Sequence, residues 1–277
     1  MKKRIKLITL GMLVLSTISL SACSNNKNAN SNSNNSVTKQ SKTLPKADFA
    51  QNSTKEAQLA QQTIIKAQKA SYDSFYLGDI TAVKNGKKQS LTQTLIKISG
   101  DNYSAEVNNA SGIKMKDYCI NGYEYIQLKP NTNQYAKRKA KTHKTITNTR
   151  ETIKSMYNNF KVPNIVNEAK VNTTADKIIV TIPNSKKIRD LLTKNIQVNG
   201  RKIVVDKAKF KLISHKNGTP ISVNEQLKIT DKTPNKAGKV ANNSETLSIS
   251  IKDINSSKIK HELSKVPKNI QVVQKVK

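Results

Sequence analysis

Two cysteines, Cys23 and Cys119, and three histidines are the side chains best suited to nucleophilic or metal chemistry in this 277-residue chain. Two cysteines are too few for a four-cysteine zinc site or a disulfide-rich scaffold. The histidines are scattered, which argues against a histidine-rich metal centre; they are His143, His215 and His261. We therefore predict no metal site and no cofactor.

The motifs of common catalytic sites are absent or occur at chance frequency. Ser-x-x-Lys recurs in the sequence, for instance at 24–27, 36–39 and 257–260, without the companion motifs of penicillin-binding enzymes. The sequence holds no Gly-x-Ser-x-Gly, His-Glu-x-x-His or phosphate-binding glycine loop. Cys119 lies on a predicted strand, where a small buried side chain is the preferred interpretation and a nucleophile the alternative. The sequence predicts no catalytic residues and a protein that is not an enzyme.

The amino terminus has the layout of an export signal. A basic start is followed by an uncharged, mostly apolar run at residues 7–20, which is shorter than the roughly 20 residues that span a bilayer. The sequence Leu20-Ser21-Ala22-Cys23 then resembles the lipobox of bacterial lipoprotein precursors. The resemblance implies cleavage after Ala22 and a diacylglycerol on the Cys23 thiol. Two acyl chains give stable membrane anchoring. An ordinary secretory signal with a chance cysteine is the alternative.

These features divide the chain into three parts. Residues 1–22 are the predicted lipoprotein signal peptide, and residues 23–47 are a lipidated cysteine with an Asn/Ser-rich, disordered tether. Seven asparagines fall within residues 24–36, and such a polar segment buries too little apolar surface to fold. Residues 48–277 form one predicted globular domain. The protein is expected at the cell membrane, lipid-anchored and facing outside the cytoplasm.

Three segments of the globular part have the period of amphipathic helices. They cover residues 55–71, residues 148–160 and a third segment that Ser185 caps. The positions expected to face inward include Ala57, Ala60, Ile64, Ala67, Ile153, Met156, Tyr157, Phe160, Ile188, Leu191 and Leu192.

Strand-like segments make up most of the remainder. They lie at 76–83, 89–99, 102–107, 113–120, 123–128, 134–137, 176–182, 202–215, 221–230 and 246–253, with a short helix near 257–264 and a closing strand near 270–273. Asn121-Gly122 is a strong hairpin signal, so residues 116–120 and 123–128 are expected to pair antiparallel. The predicted fold class is α+β. It is a large, curved antiparallel sheet, or half-barrel, with helices covering its concave face.

Two segments carry a resemblance to a known family. They are Tyr-Cys-Ile-Asn-Gly-Tyr-Glu-Tyr at 118–125, followed by Gln-Tyr-Ala-Lys at 134–137, and a strand, Gly-Thr-Pro turn and strand around 212–221. Together with the lipobox they resemble the lipoprotein-carrier (LolA-like) superfamily, which includes many lipoproteins of Gram-positive bacteria. Tyr135 stands where this family often has tryptophan.

The resemblance implies a non-catalytic protein that holds lipid or another hydrophobic ligand in an apolar cavity between half-barrel and helices. The same side chains would serve equally as an ordinary core. The candidate lining residues are Ile64, Met115, Ile153, Met156, Phe160, Leu191, Leu192 and Phe210.

Charge suggests a second class of partner. Lysine and arginine number 49 against 18 acidic residues, giving a formal net charge of +31. The densest basic patch is Lys137, Arg138, Lys139, Lys141 and Lys144. Lysine favours diffuse attraction to anionic surfaces over bidentate recognition, and no nucleic-acid motif is present. The alternative function is thus a monomeric cell-surface module that binds anionic envelope polymers, with no specific nucleic acid as partner. A solvated, lysine-biased surface without function also remains open.

Overall fold

The computed structural model describes residues 54–85, 88–140, 144–195, 201–234, 238–240 and 243–275. The expectations for Ala22, Cys23, the tether and Lys141 lie outside these residues. The helices are α1 (Lys55–Lys69), α2 (Lys144–Phe160), α3 (Pro163–Val166), α4 (Lys186–Asn195) and α5 (Ser257–Glu262). No described helix is both long and apolar enough to cross a membrane.

Twelve strands are described. They are β1 (Ser74–Asn85), β2 (Lys88–Ser99), β3 (Asn102–Asn109), β4 (Lys114–Ile120), β5 (Tyr123–Gln127), β6 (Gln134–Lys139), β7 (Lys170–Thr173), β8 (Lys177–Ile182), β9 (Ile203–His215), β10 (Pro220–Asp231), β11 (Asn243–Lys252) and β12 (Gln271–Lys275).

The strands form one open sheet in the order β12-β6-β5-β4-β3-β2-β1-β11-β10-β9-β8-β7. This confirms the large sheet that was expected from the sequence. The expectation of a purely antiparallel sheet is wrong at one edge, because β12 pairs parallel to β6. Strand β12 is separated from β6 by seven other helices and strands or more, so no tight turn between these two strands imposes the antiparallel direction.

The hairpin predicted at Asn121-Gly122 joins β4 and β5 antiparallel. Both turn residues have positive φ, 53° at Asn121 and 77° at Gly122. This is the requirement of a tight two-residue hairpin turn, and Asn-Gly meets it at low cost. The short elements α3 and β7 were not expected, since a four-residue segment shows too little periodicity to be recognised.

The core lies on one face of the sheet. Successive side chains of a strand point to opposite faces of the sheet. The strand register therefore aligns one buried residue from each of seven strands in a single row. That row consists of Ala105, Ile96, Leu77, Ile251, Val223, Leu212 and Val180. Residues of α1, α2, α3 and α4 belong to the same hydrophobic cluster. We call this side of the sheet the core face and the other side the outer face.

Candidate ligand-binding groove

Most of the side chains expected to line a cavity are packed together in the core. Ile64, Ile153, Met156, Phe160, Leu192 and Phe210 are buried there, and Leu191 packs against them while partly exposed. The Phe160 and Phe210 rings stack with centroids 4.5 Å apart. Met115 is half-buried on β4, outside this cluster.

A groove of about 760 Å³ lies instead on the outer face, across β2, β1, β11, β10, β9 and the end of β8. Register places eleven of its twenty described lining residues in two neighbouring rows. One row is Leu95, Gly78, Ser250, Asn224, Lys211 and Thr181. The other is Gln93, Ile80, Ser248, Gln226 and Lys209. Of the eight residues expected from the sequence, Phe210 alone is among the described lining residues, and its side chain belongs to the core.

The groove has an apolar end on β1 and β2. Tyr76, Ile80 and Leu95 provide its surface, and Ile80 remains 43% exposed. Gly78 lies between Tyr76 and Ile80, and its missing side chain leaves the floor open. Large apolar side chains exposed together are a feature of ligand-binding grooves.

The middle and the far wall are polar. Serines of β11 and amides of β10 separate the apolar end from Lys209 and Lys211 on β9. Three strand-to-strand steps, about 14 Å, separate β1 from β9. A third lysine, Lys252, places its Nζ 4.7 Å from the centroid of the Tyr76 ring. Among the described residues, no carboxylate lies within ion-pair distance of these three lysines.

A second cavity of about 540 Å³ adjoins the groove and shares Tyr76 and Leu95 with it. Its roof is residues 262–267, which we call the strap. Asn102 Nδ2 donates a hydrogen bond of 3.0 Å to the Leu263 carbonyl, and Lys97 forms an ion pair with Glu262. The strap therefore covers the outer face beside the apolar end of the groove.

Most charges in the second cavity are paired, and Lys265 is the exception among its described lining residues. Glu106 Oε1 lies 2.7 Å from Lys114 Nζ, and Glu106 Oε2 lies 2.8 Å from Lys116 Nζ. These lysines hold the pKa of the Glu106 carboxyl below its usual value, against the opposing effect of desolvation. Among the described lining residues, Lys265 of the strap is the one lysine of this cavity without an ion pair, whereas Lys209 and Lys211 stand unpaired side by side in the groove.

Three carboxyl groups are buried on strands that cross the groove, and two of them, Asp79 and Glu225, are among its lining residues. Burial raises the pKa of Glu225 to about 8, of Glu245 to about 7 and of Asp79 to about 6. Glu245 Oε1 has no hydrogen-bond partner among the described residues. At neutral pH Glu225 therefore mostly keeps its proton and offsets little of the lysine charge, whereas Asp79 is mostly ionised.

The Cys119 thiol is 2% exposed, and burial raises its pKa to about 11. The thiolate, which is the nucleophilic form, is therefore scarce near neutral pH. The described residues contain no group of three or more His, Cys, Asp or Glu side chains that could hold a metal ion.

Two side chains of the predicted basic patch, those of Lys137 and Arg138, make contacts with neighbouring residues of the protein. Residues 137–139 belong to β6. Lys137 Nζ lies 4.2 Å from the Tyr123 ring centroid, and Arg138 Nε donates a 2.5 Å hydrogen bond to Glu124. Lys139 is exposed, and Lys144 is the first residue of α2.

The groove could not be found from the sequence because it depends on a long-range pairing. Alternation alone puts Tyr76, Gly78 and Ile80 on one face of a strand. Nothing local indicates that β1 pairs with β11, which brings Ser250 beside Gly78.

The chain matches no family model and none of the curated proteins. Its fold is similar to that of several solved structures. A LolA superfamily protein from Nitrosomonas europaea is 12% identical, with 70% of this chain and 92% of that chain covered and a TM-score of 0.24. An outer membrane lipoprotein-sorting protein domain from Vibrio parahaemolyticus is 12% identical, with 76% and 100% covered and a TM-score of 0.21.

The MucA/MucB complex of Pseudomonas aeruginosa is a further similar structure. It is 10% identical, with 77% of this chain and 63% of that chain covered and a TM-score of 0.22. This chain thus spans less than two thirds of its matched chain. At TM-scores this low, none of these likenesses supports a conclusion about function.

Proposed function

We propose that the protein is a membrane-anchored, extracytoplasmic lipoprotein that binds a lipid or other hydrophobic ligand without catalysing a reaction. The observation that carries the proposal is the 760 Å³ groove with Tyr76, Ile80 and Leu95 at one end. Its volume falls within the roughly 300–1,000 Å³ of typical small-molecule sites. We place the ligand in this groove because the side chains first expected to surround it pack against one another.

In this proposal residues 48–277 form a single LolA-like domain, a half-barrel whose helices cover the concave face of the sheet. The contacts of α1 with β7, β8 and β9 and the cluster shared by helices and sheet support this arrangement. The domain would be a monomer tethered through residues 23–47.

The proposed anchor is the diacylglyceryl group on Cys23, supported by the Leu-Ser-Ala-Cys sequence after an apolar run. We expect Cys23→Ala to move the protein from the membrane fraction to the medium or periplasm and to abolish labelling by radioactive palmitate. Labelling of the variant equal to that of the parent would contradict the anchor.

The alternative function is a surface module that holds anionic envelope polymers. The exposed, unpaired lysines of β9 favour it, because they are available to any polyanion. The two functions differ in salt dependence. Attraction to polymers weakens steeply as salt rises, whereas a ligand in an apolar site survives a high-salt wash.

The test is organic extraction of the purified lipoprotein after high-salt washing, followed by mass spectrometry. Gly78→Leu fills the floor of the groove. A methyl group at position 78 would lie 3.5 Å from the Tyr76 ring and 3.7 Å from the Leu95 side chain, both ordinary contact distances. Ala82→Leu is the matched control, since Ala82 lies on the same face of β1 outside the groove lining.

All three proteins carry the same anchor and tether, so lipid associated with the anchor contributes equally to each. We expect a stoichiometric lipid in the parent and in Ala82→Leu and at least a tenfold loss in Gly78→Leu. Equal amounts in all three proteins would refute the groove as the ligand site.

A further inference from the structure

The groove separates three kinds of chemistry along its length. The apolar end lies on β1 and β2, hydroxyl and amide groups follow on β11 and β10, and Lys209 and Lys211 stand together on β9. A single lysine, Lys252, lies over the Tyr76 ring beside the apolar end. The apolar end continues beneath the strap, where Leu263 and Ile120 add apolar surface. A ligand that matches every part has a chain at one end, a hydroxylated middle and a negative group at the other.

We propose that the groove binds an anionic amphiphile, a lipid whose acidic headgroup contacts Lys209 and Lys211 and whose single chain passes Tyr76 towards the strap. This inference rests on the proposed function and names its ligand class. The occupant is one lipid molecule, because a groove of about 760 Å³ is of the size that holds one small ligand.

We choose an acidic headgroup because its charge complements that of the lysines on β9. Lys209 and Lys211 are exposed neighbours on the same face of β9, and no described carboxylate pairs with them. Elsewhere in the two cavities, Lys97 is paired with Glu262, Lys252 lies over the Tyr76 ring, and Lys265 of the strap stands singly. Strand β9 therefore presents the only two neighbouring unpaired lysines among the described lining residues. The headgroup is therefore directed to β9 and the chain to the apolar end.

The polar side chains in the middle of the groove indicate which kind of anionic lipid would fit. Asn224 and Gln226 on β10 and Ser248 and Ser250 on β11 line the part between the lysines and the apolar end. Side-chain amides and hydroxyls both donate and accept hydrogen bonds, which suits glycerol or sugar hydroxyls. Lipids in which a polyol links the chain to a phosphate or carboxylate satisfy all three regions.

The experiment uses the full mature lipoprotein anchored in phosphatidylcholine vesicles. Each vesicle contains a trace of lysophosphatidylglycerol, or of lysophosphatidylcholine, with a photoreactive diazirine in the chain. After illumination, mass spectrometry locates the labelled peptides and measures their yield. We expect the anionic probe to label residues 76–80 and 93–95, and the zwitterionic probe to label them much less.

Charge variants separate the headgroup contact from general attraction. Lys209→Gln/Lys211→Gln should lower the labelling of the groove by the anionic probe. An exposed ion pair is worth at most about fivefold in affinity, so the loss should be several-fold and reach about 25-fold at most. Lys207→Gln/Lys228→Gln is the matched control, because both lysines lie on the same face, outside the groove lining, and the charge removed is identical. The control should label like the parent.

Three outcomes would overturn the inference. Equal labelling by both probes, unaffected by Lys209→Gln/Lys211→Gln, would refute the preference for an acidic headgroup. The proposed function would be unaffected by that result. Equal losses in the two lysine pairs, with labels scattered over the surface, would show diffuse attraction only. Parental labelling of Gly78→Leu by both probes would refute the groove itself, and with it the proposed function.

Discussion

Replacing Glu225 by glutamine should remove part of the pH dependence of the free energy of unfolding. Glu225 pairs in register with Ile249 and Phe210 on the core face, and it is 5% exposed. Desolvation at this position raises the pKa of its carboxyl from 4.5 to about 8. Glutamine has nearly the same shape and does not ionise.

The sign of the effect follows from where the proton is held. Between pH 4.5 and about 8 the folded protein keeps a proton on Glu225 that the unfolded chain has released. The free energy of unfolding therefore falls as pH rises through this window, by about 1.4 kcal/mol per pH unit, or about 5 kcal/mol in total. That is a large share of the roughly 5–15 kcal/mol that stabilises an ordinary domain.

The assay is urea unfolding followed by far-ultraviolet circular dichroism at several values from pH 5 to 9. The stability of Glu225→Gln relative to the parent should increase with pH and level off above about pH 8. Asp79 and Glu245 titrate in both proteins, so the difference isolates Glu225. Glu151→Gln, on the exposed surface of α2, is the control. A stability difference that stays constant with pH would refute the assigned burial of an ionisable Glu225.

Three other substitutions or reactions test separate parts of the structure. Phe160→Ala removes the ring stacked on Phe210 and should lower the free energy of unfolding by about 3–5 kcal/mol in urea; a cost below about 1 kcal/mol would contradict the packing. Arg150→Ala deletes hydrogen bonds to three main-chain carbonyls, two preceding β1 and one between β2 and β3, and should cost about 1.5–3 kcal/mol in the same assay. Parental stability would show that α2 does not hold these loops. Cys119 should react with iodoacetamide at least about a hundredfold more slowly in the native than in the urea-unfolded protein, since its thiolate is scarce and its sulfur buried; similar rates would reopen it as a nucleophile.

Local signals account for the elements that the sequence predicted well. The Asn121-Gly122 turn needs two positive φ angles, which few other residue pairs adopt easily. The inward stripe of α1 is a strict helical repeat, and the structure buries it. In such segments the preference of each residue and the final packing agree, so inspection of a short window is sufficient.

Pairing over long distances accounts for what the sequence did not reveal. The groove exists because β1 pairs with β11, more than 150 residues later, and a sheet of this order has no short-range signature. Alternation places Asp79 with Leu77 and Thr81 on the core face, yet a carboxyl there contradicts the usual apolar pattern. Counting lysines also failed to separate Lys137, which contacts an aromatic ring, from Lys209, which is unpaired in the described structure.

A crystal structure of the lipoprotein purified with its native lipid tests the central claim most directly. We expect electron density for a chain between Tyr76, Ile80 and Leu95 on the outer face, with the headgroup towards β9. Density between the helices and the core face, where Phe160 and Phe210 now stack, would contradict it. So would an empty groove in a protein that still carries a stoichiometric, salt-resistant lipid.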